Sequence, residues 1–182
     1  MVYIILGKGF EEIEAIATMD VLRRGGVKAA FASVEGKSVE GAHGISVAAD
    51  TSVKKIDLFD ADMLIVPGGL GGVESIEGSR ETLDVLKKAF ETGIPLAAIC
   101  AGPRVLAKIG ALEGKSAVCY PGMEDQMGGA KIDNSRLSCV DGNIVTGRGP
   151  GAAIAFGLEV LRFLKGDASA EKVAAGMTYD IR

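Results

Sequence analysis

A cysteine placed between a predicted strand and a predicted helix is the residue of this sequence best suited to covalent chemistry. The five apolar residues 95–99 predict a buried parallel strand, which ends at Cys100. Two small residues follow, and Pro103 then suits the first turn of a helix that Gly110 ends. This pattern is typical of a nucleophile elbow, in which the side chain at the turn projects beyond the sheet. Because a helix N-terminus favours an anion, we expect the Cys100 thiol to ionise more easily than a free thiol.

A structural role is the alternative interpretation of this cysteine, because free cysteines often pack in protein cores as small apolar residues. Cys100 ends its apolar run instead of lying inside it, and this keeps the nucleophile interpretation open beside the structural one. Cys119 and Cys139 lie within strand-like apolar runs, and both are predicted to be structural.

The glycine-rich residues 67–72, which follow a predicted strand at 63–66, form a second candidate feature. Their glycines make backbone N–H groups available at the carboxyl end of the sheet, where such groups can hold an oxyanion or a phosphate. The pattern matches neither the dinucleotide-binding motif nor the P-loop, and a merely flexible loop is the alternative.

The acidic start of the first predicted helix, residues 11–24, forms a third candidate feature. Glu11 and Glu12 are explained by their favourable interaction with the helix dipole. Glu14 differs because it falls at the edge of the apolar stripe, and a carboxyl group in an apolar pocket tends to stay protonated. The predicted stripe consists of Ile13, Ile16, Ala17 and Val21, with Asp20 and Arg24 paired within it. Charges within an apolar face indicate a subunit interface, the wall of a polar pocket or a solvated rim.

Composition and charge exclude several classes of function. With 182 residues, of which 48% are hydrophobic and 24% charged, the chain suits one domain over residues 1–182. A net charge of −4 with scattered lysines and arginines argues against a basic surface that binds nucleic acid. No apolar run is long enough to cross a membrane. Three widely spaced cysteines, and residues 1–6 without signal-peptide features, indicate a reduced, cytoplasmic protein. With one histidine and no Cys-x-x-Cys pair, we expect no zinc site and no other cofactor.

Predicted strands and helices alternate along the chain. Strands are predicted at residues 2–6, 27–34, 63–66, 95–99 and 116–120, and hairpins at 39–48 and 137–146. Helices are predicted at 11–24, 79–92, 104–109, 152–164 and 169–175, with a short irregular helix at 121–129. The single histidine, His43, falls at the tip of the first hairpin. This order predicts a doubly wound, mostly parallel α/β sheet sandwiched by helices, with its site at the strand carboxyl ends.

Four segments together resemble the ThiJ/PfpI superfamily, and in particular the branch of the Parkinsonism-associated deglycase and its bacterial relatives. They are residues 7–14, 66–69, 97–103 and 147–151, and they follow one another in the matching order along nearly the whole chain. The resemblance implies a flavodoxin-like, class I glutamine amidotransferase-like fold and a homodimer.

The resemblance also implies roles for individual residues. It makes Cys100 the nucleophile and Glu14 the protonated acid bonded to it. It places an oxyanion site at the amides of Gly69 and Ala101, with Gly68 beside it. It places Arg24 and His43 near a pocket on the dimer side. It also implies that Gly149 and Pro150 line the site from the partner subunit.

Two departures from the family pattern bear on the activity. Ala101 replaces the histidine that follows the cysteine in the protease-like branch, which argues against peptidase activity. Tyr120 stands where human-type members carry a histidine near the nucleophile, and a tyrosine donates hydrogen bonds but is a poor base at neutral pH.

The resemblance implies a glyoxalase III or deglycase-like enzyme that turns small 2-oxoaldehydes such as methylglyoxal into hydroxy acids. The alternatives are a redox or electrophile sensor that works through oxidation of Cys100, and a stress chaperone.

Overall fold

A seven-stranded sheet flanked by helices forms the centre of the molecule in a computed structural model, which describes residues 1–180. The strands are β1 (Val2–Leu6), β2 (Ala29–Ser33), β3 (Ser38–Glu40), β4 (Ser46–Ala48), β5 (Thr51–Ser52), β6 (Met63–Val66), β7 (Leu96–Ile99), β8 (Ser116–Ala117), β9 (Lys131–Ile132), β10 (Ser138–Asp141) and β11 (Ile144–Gly147). The helices are α1 (Glu12–Arg24), α2 (Leu70–Gly78), α3 (Arg80–Glu91), α4 (Pro103–Lys108), α5 (Ala153–Lys165) and α6 (Asp167–Gly176). Within residues 1–180, no helix is both long and apolar enough to cross a membrane.

The main sheet has the strand order β10-β11-β7-β6-β1-β2-β5. All its neighbouring strands are parallel except the edge pair β10 and β11, which form a hairpin. Strands β1, β6 and β7 are buried along their whole length, as their unbroken apolar sequences predict. The predicted doubly wound α/β fold is confirmed.

The strand order reverses between β1 and β6, because the chain continues from β1 to β2 on one side and returns to β6 on the other. In doubly wound sheets, ligands bind in the crevice that opens at such a point, outside the strand carboxyl ends. The segments that follow β1, β6 and β7 carry Glu14, Gly68 and Cys100. The topology therefore brings the three candidate features of the sequence to one edge of the sheet.

Five predicted helices agree with the observed ones within two residues at each end, but one helix was not predicted. The short irregular helix predicted at 121–129 is limited to a single 3-10 turn at Glu124–Gln126. Helix α2 begins at Leu70, directly inside the glycine-rich segment that was expected to be a turn or a flexible loop. The predicted strand at 116–120 is limited to the two residues of β8. Cys119 and Cys139 are buried, in agreement with the structural role predicted for them.

The apolar stripe predicted for α1 is wrong. Ile13 and Ile16 are 58% and 42% exposed, and they belong to the outer face of the helix. Of the predicted stripe, Val21 is buried as expected. The other buried apolar residues are Ala15, Met19 and Leu22, because a different face packs against α5. The predicted ion pair between Asp20 and Arg24 is present at 2.6 Å, but it lies on the exposed face.

Candidate active site

Cys100 lies at the abrupt turn between β7 and α4, as the strand–turn–helix pattern predicts. Its backbone φ of 66° is in the left-handed region, which costs a residue with a side chain on the order of 1–3 kcal/mol. Two hydrogen bonds hold this conformation, because Cys100 N donates to Gly147 O at 2.9 Å and Tyr120 N donates to Cys100 O at 2.9 Å. Pro103 begins the helix that follows. The sheet and the adjoining loop therefore fix the cysteine in a strained, defined orientation.

The Glu14 side chain is buried beside this cysteine, with only 1% of the residue exposed. Its Oε2 accepts a hydrogen bond of 2.6 Å from Gly68 N, while Oε1 is buried without a hydrogen-bond partner among residues 1–180. Burial raises the pKa of Glu14 to about 7, although the hydrogen bond from Gly68 and the contact with Cys100 act in the opposite direction. The carboxyl group is therefore about half protonated near neutral pH and can both give and take a proton there.

The Cys100 thiol is electrostatically coupled to this carboxyl group. Burial raises the pKa of the thiol, and a charged Glu14 raises it further, whereas N–H groups of Ala101 and Gly69 donate to the sulfur and lower it. The expectation that Cys100 alone ionises easily is therefore wrong, because burial outweighs the N-terminus of the six-residue helix α4. Protonation of Glu14 removes the charge that opposes ionisation of the sulfur, so the two groups titrate as a pair.

Glycines at positions 68 and 69 are required by this close arrangement. A methyl group at Gly68 would lie 2.7 Å from both Cys100 Cβ and Glu14 Oε2. Gly69 has a φ of 84°, and a methyl group there would lie 2.4 Å from Gly9 O. Only residues without a side chain allow the backbone after β6 to pass between α1 and the elbow and to direct its N–H groups at both reacting side chains.

A cavity of about 520 Å³ opens onto the sulfur. Its lining residues come from the start of α1, the glycine-rich segment, the elbow and two later loops: Glu11, Gly69, Leu70, Cys100, Ala101, Arg104, Tyr120, Pro121, Gly122, Met123, Gln126 and Pro150. Tyr120 is partly exposed at this wall, next to Gly149. Pro150 thus lines the cavity within the same chain and Gly149 lies beside Tyr120, while a contribution of these residues from a partner subunit stays a prediction.

Arg24 and His43 are not brought next to the sulfur in the single chain. Arg24 ends α1, ten residues after Glu14, which corresponds to about 15 Å along the helix axis. His43 is exposed at the tip of the β3–β4 hairpin, as predicted, and contacts the start of α1. Neither residue lines the cavity at Cys100.

Glu12 is a buried residue that the sequence analysis assigned only to the helix dipole. Its Oε1 accepts hydrogen bonds from His43 N at 2.7 Å and Ile45 N at 3.4 Å, and its Oε2 lies 2.9 Å from His43 Nδ1. Burial opposes ionisation of Glu12, but the hydrogen bonds from His43 and Ile45 outweigh burial and lower its pKa. No local pattern could reveal this role, because the partners lie more than thirty positions away in the sequence.

One cluster among residues 1–180 has donor atoms close enough to hold a metal ion. Atoms of Glu11, Glu12 and His43 lie within 4.8 Å of one another. The hydrogen bonds between His43 and Glu12 already account for this approach, so the cluster gives no independent sign of a metal.

Arg104 is the second residue of the site that the sequence analysis missed. It lies in the first turn of α4 and lines the cavity. Glu77 of α2 accepts hydrogen bonds from Arg104 Nε at 3.0 Å and from Arg104 Nη2 at 3.1 Å. The position of Arg104, four residues after the elbow cysteine on a helix, is the signal that could have identified it.

Comparison with known proteins places this geometry in a family. The sequence matches the DJ-1/PfpI family over residues 1–163. Protein dj-1beta of Drosophila melanogaster is 37% identical over 176 residues, which cover 96% of this chain and 94% of the fly protein. Deglycase PYRAB04690 of Pyrococcus abyssi is 33% identical over 165 residues, which cover 90% of this chain and 99% of the archaeal protein.

Solved structures show the same similarity. A crystal structure of Drosophila melanogaster DJ-1beta has a TM-score of 0.91 and 36% identity, with 98% of this chain and 97% of that chain covered. A structure of oxidized Toxoplasma gondii DJ-1 has a TM-score of 0.88 and 36% identity, with the same coverage of the two chains. The similarity therefore extends over almost the whole length of each chain.

Proposed function

The chain belongs to the DJ-1/PfpI family, and from this membership and the buried Cys100–Glu14 pair we propose that it is a cofactor-independent enzyme that converts small 2-oxoaldehydes into 2-hydroxy acids. The observation that carries the proposal is a carboxyl group with a pKa of about 7, buried against a cysteine that opens onto a cavity of about 520 Å³. A general acid or base works best when its pKa lies near the working pH. The Pyrococcus abyssi relative is named a deglycase, which supports chemistry on aldehyde adducts.

The first step is addition of the sulfur to the aldehyde carbon of the substrate. The pair is reactive when it holds one proton and that proton has passed from the sulfur to Glu14 Oε1, the oxygen that accepts no hydrogen bond among residues 1–180. Amides of Gly69 and Ala101 donate to the sulfur and stabilise its charge until it attacks. A carbon–sulfur bond forms, and the aldehyde oxygen takes the proton from Glu14 to give a hemithioacetal.

The remaining steps move one proton and add one water molecule. Glu14 removes the proton from the former aldehyde carbon and returns it to the neighbouring carbon through an enediol, which yields a 2-hydroxy thioester. Water then cleaves the carbon–sulfur bond, so that the 2-hydroxy acid leaves and the Cys100 sulfur is regenerated. Methylglyoxal plus water becomes lactate, and no external oxidant or reductant is consumed.

Turnover of methylglyoxal to lactate by site variants tests this proposal. We expect Cys100→Ala and Glu14→Ala each to lower kcat/KM by at least about a hundredfold, the contribution of a positioned nucleophile or general acid. Cys139→Ala is a matched control, because Cys100 and Cys139 are each 8% exposed and only Cys100 lines the cavity. Full activity in either site variant, or equal loss in the control, would exclude the assignment.

Redox sensing through Cys100 is a second candidate function. The buried Oε1 of Glu14 has no hydrogen-bond partner within residues 1–180 and can donate to an oxygen added to the neighbouring sulfur. In this chemistry the thiolate attacks a peroxide, takes one oxygen and releases water, and a second peroxide gives the sulfinate. Among the relatives, Toxoplasma gondii DJ-1 has been solved in an oxidized form. A stable gain of two oxygens on Cys100 under mild peroxide, without aldehyde turnover in the untreated protein, would favour the sensor.

A homodimer through the outer face of α1 is part of the proposal. Ile13 and Ile16 are large apolar residues exposed on this face, and Ile45 is exposed on the hairpin tip that Glu12 holds against it. Three isoleucines exposed at one place favour a protein interface over a solvated surface.

A further inference from the structure

Arg104 shares the cavity with the Cys100 sulfur and is held rigidly there. Its side chain is 21% exposed. The two hydrogen bonds to Glu77, at 3.0 and 3.1 Å, use Nε and Nη2 and fix the plane of the guanidinium group. A guanidinium group fixed in this way loses little conformational freedom when it binds a ligand.

The guanidinium keeps a donor edge that Glu77 does not use. Arginine carries five N–H groups, of which Glu77 accepts one on Nε and one on Nη2. Gln126 Oε1, another atom of the cavity wall, lies at the long distance of 3.4 Å from Nη1. Gln126 accepts from one N–H group of Nη1 and Glu77 from one of Nη2, so each nitrogen retains one N–H group, and two such groups can bind the two oxygens of a carboxylate.

The charges around the cavity favour an anion at this edge. Lys108 Nζ lies 3.8 Å from Glu77 Oε2, so two cations share one carboxylate and the cluster carries a net positive charge. Glu11 is an acidic lining residue, and its Oε1 lies 3.7 Å from His43 Nδ1. A negative group in the cavity is thus attracted to Arg104 and repelled by Glu11.

From this arrangement we propose that the substrates of the enzyme are 2-oxoaldehydes with a carboxylate at the end remote from the aldehyde, and that Arg104 binds this carboxylate and sets the specificity. The inference rests on the proposed function and names its substrate class. Cys100 adds to the aldehyde carbon, the proton moves between the two carbonyl carbons, and water releases a 2-hydroxy diacid. The remote carboxylate is unchanged in the reaction, and the cavity of about 520 Å³ has the size of a small-molecule site.

Alkylation of Cys100 tests the anion site without any turnover. Iodoacetate and iodoacetamide deliver groups of nearly equal size, one with a carboxylate and one with a neutral amide. The ratio of their rates at Cys100, measured by intact mass, cancels differences in ionisation of the sulfur between variants. We expect Arg104→Gln to lower the iodoacetate-to-iodoacetamide ratio about tenfold, the effect of one charge-assisted hydrogen bond. An unchanged ratio overturns the proposal.

Two further variants separate the guanidinium from the general charge of the cluster. Glu77→Gln keeps an amide oxygen that can accept a hydrogen bond from Arg104 and removes the negative charge beside it, so the ratio is expected to stay or rise, and a fall in the ratio would contradict the assignment. Lys108→Gln removes a cation from the same cluster but not from the cavity wall, and its ratio is expected to stay within about twofold. A tenfold fall in Lys108→Gln as well would overturn the assignment to Arg104.

Turnover separates failure of this inference from failure of the proposed function. The probes are 4,5-dioxopentanoate, a 2-oxoaldehyde with a terminal carboxylate, and neutral methylglyoxal. We expect the native enzyme to prefer the carboxylate, and Arg104→Gln to lower the ratio of the two kcat/KM values about tenfold. Turnover of methylglyoxal with no preference for the anion overturns the inference alone. If neither aldehyde is converted but the alkylation ratio depends on Arg104, the proposed reaction fails and the anion site stands.

Discussion

Glu14 makes the stability of the fold depend on pH in an unusual direction for a carboxylic acid. Burial raises its pKa from 4.5 to about 7, so the folded protein binds this proton more tightly than the unfolded chain. The contribution of Glu14 to stability is therefore complete below pH 4.5 and is lost as pH rises through about 7. Most proteins show the opposite trend for paired carboxylates, which lose stability as pH falls.

Replacing the carboxyl group with an amide removes this dependence. Between pH 5 and pH 8, we expect the free energy of unfolding of the native protein to fall by about 2 to 3 kcal/mol relative to Glu14→Gln. Urea unfolding at both pH values gives the comparison, with Glu74→Gln, an exposed acid on α2, as the control that should parallel the native protein. Parallel curves for the native protein and Glu14→Gln would contradict the buried, protonated state.

The pH dependence of Cys100 alkylation reports the coupling of the pair directly. Because burial and a charged Glu14 both raise the pKa of the Cys100 thiol, labelling by iodoacetamide is expected to rise only well above neutral pH in the native protein. In Glu14→Gln the negative charge that opposes ionisation of the sulfur is absent, so the inflection should move downward by more than about one pH unit. An inflection that stays in place would show that the sulfur titrates independently of Glu14.

At the scale of residues, the sequence predicts those functional groups whose position depends on residues nearby in the chain. Cys100 was predicted from a strand–turn–helix pattern within ten residues. Burial of Glu14 was also predicted, although the isoleucines of the stripe from which it was argued are exposed. Glu12 and Arg104 were missed because their partners, His43 and Glu77, lie more than twenty positions away. The ionisation of Cys100 was misjudged for the same reason, since burial of the thiol depends on several distant segments.

At the scale of elements, Glu12 fastens the β3–β4 hairpin to the first turn of α1. Its buried carboxylate bonds to residues 43 and 45, and Ala42 N donates to Phe10 O at 2.8 Å beside it. Glu12→Ala is expected to speed amide hydrogen exchange at His43 and Ile45 and to lower the free energy of unfolding by about 1 to 3 kcal/mol. Glu40→Ala, an exposed acid on the same hairpin, is the control that should leave exchange at the tip unchanged. Unchanged exchange in Glu12→Ala would show that backbone contacts alone hold the tip.

Helix faces were harder to predict than helix ends, because two apolar faces compete on α1. The buried face includes the small residues Ala15 and Thr18, and Thr18 lies against Gly157 of α5, so the two helices pack closely there. Helix α2 escaped prediction because its glycines lower helix propensity. Gly72 is nevertheless required there, since a methyl group at this position would lie 2.7 Å from Phe10 Cα. In both helices the deciding contact is with a distant backbone, which a periodic pattern does not record.

At the scale of the whole molecule, the reversal of strand order explains why one edge of the sheet carries the chemistry. The segment after β1 brings Glu14 to this edge, the segment after β6 brings the pair Gly68 and Gly69, and the segment after β7 brings Cys100. The opposite end of α1 carries Arg24, far from the sulfur, so that residue can serve the site only if the assembly brings a second copy near it. The oligomeric state is therefore the property on which the remaining family-derived assignments of Arg24 and His43 depend.

The outer face of α1 is the place to test that assembly. We expect the native protein to be a dimer in light scattering, and the double variant Ile13→Glu, Ile16→Glu to be a monomer with unchanged circular dichroism. Each exposed isoleucine buried at an interface contributes about 1.5 to 3 kcal/mol, and a buried unpaired charge opposes association further. Phe59→Glu is the matched control, because Phe59 is also fully exposed but lies in the loop before β6. A native monomer would contradict the proposed dimer, and a dimer that survives both glutamates would place its interface elsewhere; either result leaves Arg24 without a role at the sulfur.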